Sequence, residues 1–128
     1  MTTEVFPRPL TESEHAILDH MLAVDDARLE PLRRQATTVT VVGRCSCGCA
    51  SIELEVDRLH ASRAVDLCSP VTETSTQHAR DYPDPDYREL ILFLDDGWLS
   101  YLEIVFYIGD AVREFPPADR FGPAAMRC

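Results

Sequence analysis

The sequence predicts an α+β domain: one or two N-terminal helices packed on one face of a mainly antiparallel sheet of four or five strands. Three observations carry this reading. A capping box at Thr11-Glu12-Ser13-Glu14 opens a stretch whose apolar residues recur at helical spacing. β-Branched residues take over from Thr37 and return between Ser51 and Val56. The stretch Glu89–Tyr107, ELILFLDDGWLSYLEIVFY, places two β-prone arms around the turn formers Asp95-Asp96-Gly97, a strong short-range hairpin signal.

The first helix starts at Thr11, buries Ile17, Leu18, Met21 and Leu22, leaves His15, Asp19 and His20 outside, and ends at Asp25-Asp26. An amphipathic helix of this kind needs a sheet to cover. A shorter helix follows over Glu30–Ala36, with Pro31 tolerated in its first turn and Leu32 and Ala36 facing inward. Thr37–Val42 and Ser51–Val56 read as strands, the second with Ile52, Leu54 and Val56 on one face and Glu53 and Glu55 on the other. An edge strand is expected near Val71–Gln77 and a proline-rich surface loop at Asp81–Asp86. In the hairpin, Leu90–Leu94 is apolar at every position and reads as a central strand covered on both faces. The second arm places Trp98, Leu102, Ile104 and Phe106 on one side and Leu99, Tyr101, Glu103, Val105 and Tyr107 on the other. The tail after Tyr107 has too much Pro and Gly for regular structure, with Phe115 and Phe121 available to pin it down.

A chain of 128 residues reads as one domain, 1–128, large enough to bury a core. The formal net charge of −10 opposes phosphate backbones and anionic lipid, so the expected partners exclude nucleic acid and membrane. No run approaches a membrane span, and the N-terminus has neither a basic region nor an apolar signal core, so the chain reads as cytoplasmic. Five cysteines cannot all pair within one chain, and free thiols or a metal site are expected before bridges.

The densest cluster of reactive groups is Cys45-Ser46-Cys47-Gly48-Cys49. Thiols two residues apart in extended backbone project to one side, and a turn at Gly48 brings three sulfurs close enough to share a soft metal such as Zn²⁺. A closed site needs a fourth ligand, with Cys68 the leading choice and His60, His78 and Cys128 the others. The simpler alternative is a tight turn of small thiols without metal and, for the chain as a whole, no cofactor. The four histidines are far apart in sequence, and a Cys–His dyad through Cys47 or Cys68 has no orienting third group or oxyanion hole. Glu103 stands inside the most apolar strand. If its face is covered it must pair with a cation, and if open it joins Tyr101 and Tyr107 in an aromatic and acidic stripe suited to an interface.

Three pieces carry a resemblance: Arg8-Pro9-Leu10-Thr11-x-x-Glu14, Val42-Gly43-Arg44-Cys45-x-Cys47-Gly48-Cys49-x-Ser51-Ile52, and Asp96-Gly97-x-Leu99-Ser100-x-Leu102-Glu103. Together they resemble small bacterial proteins of the DUF6984-like kind, a resemblance that implies no particular activity. The last of the three is also similar to a hairpin in immunity-type proteins that neutralise secreted toxins. The expectation is a non-enzymatic, acidic, immunity-like interaction module that meets a protein partner or a second copy of itself through Tyr101, Glu103 and Tyr107. The alternative is a zinc-binding module built on Cys45, Cys47 and Cys49.

Overall fold

The computed structural model describes residues 4–76 and 85–128. The core of the expected proline-rich loop, together with His78 and Gln77, lies outside the described residues. The chain order is β1 (Arg8–Pro9), α1 (Glu12–Met21), a 3₁₀ turn (Ala27–Leu29), α2 (Glu30–Ala36), β2 (Thr40–Arg44), β3 (Ile52–Glu55), β4 (Thr72–Ser75), β5 (Arg88–Asp95), β6 (Trp98–Phe106), a second 3₁₀ turn (Ala118–Arg120) and β7 (Ala125–Met126). The fold is α+β, with two helices and one sheet whose strand pairs are antiparallel, in the order β1-β2-β3-β6-β5-β4-β7.

Among the described residues seven strands replace the four or five expected. The excess is β1 and β7, two residues each, in proline-containing or proline-flanked segments that carry no strand signal of their own. They form because the neighbouring strands β2 and β4 offer unpaired backbone groups. β4 is consequently not an edge, since β7 lies on its outer side. Phe115 and Phe121 are buried as expected, and Phe121 bridges Thr76.

The start of α1 is as the capping box requires. The Glu14 amide donates to the Thr11 hydroxyl at 3.2 Å and the Thr11 amide donates to the Glu14 carboxylate at 2.9 Å. The carboxylate also accepts two bonds from the Arg8 guanidinium of β1, at 2.8 and 2.9 Å, a forked pair that ties the first strand to the first helix. Burial pushes the Glu14 pKa up, but the Arg8 and Thr11 hydrogen bonds outweigh it and hold the carboxyl below its ordinary value. Its stabilisation is therefore full above the unfolded carboxyl range near pH 4.3 and is lost as pH falls through the lower folded value. Glu14→Gln should cost about 1–2 kcal/mol at pH 7, with the gap to wild type closing in acid when urea unfolding is followed between pH 7 and pH 2.5. A gap that does not change with pH would refute the ionic reading.

The core lies between the helices and one sheet face: Ile17, Leu18, Met21, Leu29 and Leu32 meet Val41, Ile52, Leu90, Leu92, Leu102 and Ile104. The β5–β6 hairpin closes through Asp96 and Gly97, with φ of +49° and +84°, the paired left-handed residues of a two-residue turn whose twist matches the strands. A Cβ on Gly97 would overlap the Ala64 carbonyl, so this glycine is required by close approach as well as by φ.

Two details of the hairpin depart from expectation. A bulge displaces the register between Phe93↔Tyr101 and Leu94↔Leu99, inserting Ser100. Leu99 thereby joins Trp98 in the core: Leu99 lies opposite Leu94, and the buried Trp98, opposite Asp95, also packs under the Arg58 guanidinium at 5.1 Å. β5 is also not covered on both faces. Leu90, Leu92 and Leu94 are buried while Ile91 and Phe93 are half-buried, because both helices lie on the other side.

Candidate functional site

The sheet face opposite the helices is built by alternation. Residues opposite one another across β3, β6, β5 and β4 run Glu53–Tyr101–Phe93 in one row and Glu103–Ile91–Glu73 in the next, followed by Val105–Glu89–Ser75. Tyr101 and Phe93 are tilted neighbours with ring centres 6.2 Å apart. Tyr87 and Tyr107 stack at 5.9 Å, and both hydroxyls donate to the same Glu89 oxygen at 2.9 and 3.0 Å. All three residues expected at an interaction surface are on or beside this face: Tyr101 and Glu103 are half-buried, and Tyr107 is 57% exposed.

The charges on this face are one-sided. Arg127 pairs with Glu73 at 2.9 Å, whereas Glu53, Glu55 and Glu103 have no cation partner among the described residues. Glu103 therefore takes the open alternative. At one end of the face a pocket of about 210 Å³ is lined by Glu55, Arg58, Asp95 and Trp98, among others, with Arg58 reaching Asp95 at 3.7 Å. Burial pushes the Tyr101 phenol up to about 12, and the nearby Cys45, Cys49 and Glu103 act in the same direction against the Ser51 hydroxyl. Tyr101 thus stays a neutral donor throughout the physiological range.

The cysteine turn adjoins this face beyond Ser51. Gly48, at φ +88°, lets the chain reverse, its amide donating to the Cys45 carbonyl at 3.1 Å. The Cys45 amide donates to the Ser51 carbonyl at 3.1 Å, and the Arg44 guanidinium donates to the carbonyls of Cys49 and Arg113 at 3.2 and 3.1 Å. The three sulfurs lie within 4.8 Å of one another, with Cys45 Sγ and Cys47 Sγ 2.9 Å apart. Cys47 is exposed and Cys49 buried, its thiol donating to the Ser51 hydroxyl at 3.3 Å. The pair shares its protons unequally. Hydrogen bonding to Cys45 and then Cys49 pushes Cys47 up to about 11, while at Cys49 burial is outweighed by bonds from Ser51 and Cys47, which hold it below the ordinary thiol value.

Among the described residues no fourth ligand joins these sulfurs, and His78 lies outside them. Cys68 is bonded to Cys128, so neither is a free thiol, and the odd cysteine count hid one bridge beside three free thiols. His60 is held by Asp57 at 2.6 Å, His15 by Asp19 at 3.3 Å, and His20 bonds the Gly122 carbonyl at 2.8 Å. Among the described residues the metal-competent group is Cys45, Cys47 and Cys49 alone. A second cleft of about 250 Å³, lined in part by Arg8, Glu14, Arg44 and Arg113, has the guanidiniums of Arg8 and Arg44 already engaged by Glu4 and Glu14.

Sequence reasoning missed Gln35, which is fully buried and joins α2 to the hairpin. A polar residue on the inward side of a short helix is the one signal that could have marked it. Compared with family models, curated proteins and solved structures, the chain matches none. Among the described residues, no helix is long and apolar enough to cross a membrane.

Proposed function

We propose that the protein is a non-enzymatic interaction module that binds a basic protein partner through the open sheet face. The observation that carries this is the combination of half-buried Ile91, Phe93, Tyr101 and Val105 with three carboxylates, Glu53, Glu55 and Glu103, that no cation balances among the described residues. Uncompensated like charge on a partly apolar face is relieved by a surface that brings lysine or arginine. Self-association is disfavoured by the same argument, because two copies meeting face to face would oppose acidic patches. Nucleic acid and anionic lipid are disfavoured by sign.

An immunity-type role, neutralising a basic toxin, fits this chemistry, and kinship with DUF6984-like proteins is proposed on the three sequence motifs. The Cys68–Cys128 bond favours an oxidising compartment, and the proposed role is placed there rather than in the cytoplasm expected from the sequence.

The test is capture of a partner from the source organism, reconstitution with that purified protein, and titration calorimetry. Tyr101→Ala and Glu103→Arg should each weaken a 1:1 complex by at least 10-fold, as expected for central aromatic and charged contacts. A complex indifferent to both substitutions, or a partner of acidic surface, would overturn the assignment.

A further inference from the structure

We infer that Cys45, Cys47 and Cys49 form a three-sulfur site for a thiophilic d¹⁰ cation, Zn²⁺ or Cu⁺, held entirely by the β2–β3 turn. The inference is independent of the interaction face. Metal–sulfur bonds of ~2.3 Å place the sulfurs of a tetrahedral site about 3.8 Å apart, and three sulfurs within 4.8 Å already bracket that separation. Cys45 and Cys47, at 2.9 Å, need to part by about 1 Å, which rotation of the exposed Cys47 side chain supplies. Buried Cys49 is fixed from below by Ser51, whose own hydroxyl accepts from the Ile104 amide at 3.0 Å, so one ligand is anchored to the sheet and one is free to close. On binding, each thiol loses its proton and the sulfur lone pair forms the metal bond, so the released protons go to solvent and no redox partner is needed.

Among the described residues no fourth ligand joins the three sulfurs, and this gives the site its character. Structural zinc sites are closed by four protein ligands, whereas three leave a zinc coordination position for water, or suit a soft monovalent ion with three sulfurs alone. The turn is already held without metal by the Gly48 amide, Arg44 and the Cys45–Ser51 backbone bond. A reversibly loaded site follows, rather than one on which folding depends. Arg44, ion-paired to Glu4, reaches the Cys49 carbonyl and so fixes the backbone of the turn rather than supplying a free counter-charge.

The experiment uses the full chain after mild phosphine reduction, titrated with Zn²⁺ in air-free buffer and separately with Cu⁺, each against a competing chelator, with stoichiometry read by native mass spectrometry. One equivalent of either ion is expected, and the tighter of the two names the resident class. Cys47→Ser, at an exposed position, should weaken binding at least 100-fold with an unchanged circular dichroism spectrum, and Cys45→Ser serves as the second variant. The double variant Cys68→Ser/Cys128→Ser should bind as wild type. Absence of binding for both ions, or binding that survives both single substitutions while following Cys68 and Cys128, would overturn the site.

Discussion

Replacing Gln35 with methionine should lower the unfolding free energy by about 3 kcal/mol, although the two side chains have nearly the same volume. The Gln35 amide nitrogen donates to the carbonyls of Ser62 at 2.9 Å and Gly97 at 3.0 Å, and its oxygen accepts from the Leu99 amide at 2.9 Å. The need for that acceptor arises from the bulge. Inserting Ser100 pulls the Leu94–Leu99 pair out of the regular ladder, and both amides are then satisfied by side chains, Leu99 by Gln35 and Leu94 by the Ser69 hydroxyl at 2.8 Å. Gly97 keeps a second donor, the Ala64 amide at 3.0 Å, so the Leu99 amide is the group stranded most completely. Urea unfolding of Gln35→Met should show a lower midpoint at unchanged slope, with accelerated amide exchange at Leu99. A loss below 1 kcal/mol would mean that water reaches the bulge and that Gln35 is not its required partner.

Gln35 also marks where the sequence stops being legible. Local signals were strong where chemistry is local. Thr11 and Glu14 wrote the helix start, Glu30–Ala36 matched α2 to the residue, and Asp96-Gly97 specified the turn. The alternation in β3 placed Glu53 and Glu55 on the open face because a period of two has only two faces to choose between. The bulge was illegible, since a strict period of two sends only one of the apolar neighbours Trp98 and Leu99 into the core, whereas the structure buries both. The end strands β1 and β7 were illegible for a different reason: two residues beside proline carry no propensity, and their pairing is imposed by the strands they meet. The candidate face was half readable, with Tyr101, Glu103 and Tyr107 identifiable from strand periodicity. That the face is open depends on both helices choosing the other side.

Breaking the Cys68–Cys128 bond is expected to have a still larger effect, up to about 4 kcal/mol, because a 60-residue separation is closed and its entropy is removed from the unfolded chain. The native-state consequence is concentrated at one edge. β7 has only Ala125 and Met126 to pair with Glu73 and Thr72, a length that cannot hold a chain end by itself. The tail is otherwise fixed by the Arg127 amide to the Val71 carbonyl at 2.9 Å, the Arg127–Glu73 ion pair, and Arg28 donating to the Cys128 and Asp66 carbonyls at 3.2 Å each. Urea unfolding of oxidised and reduced protein, both in a Cys45→Ser/Cys47→Ser background so that the turn thiols do not interfere, measures the global term. Carboxypeptidase digestion of the same samples measures the local one. Full loop-closure stabilisation predicts a midpoint that falls sharply on reduction. If instead the unfolding free energy changes by under 1 kcal/mol while the tail after Phe121 is trimmed only in the reduced form, the bridge acts as a clamp on β7 and the unfolded chain is already compact around it. Either result also bears on the compartment. A bridge worth several kcal/mol would leave the reduced protein marginal, which is tolerable only where thiols stay oxidised.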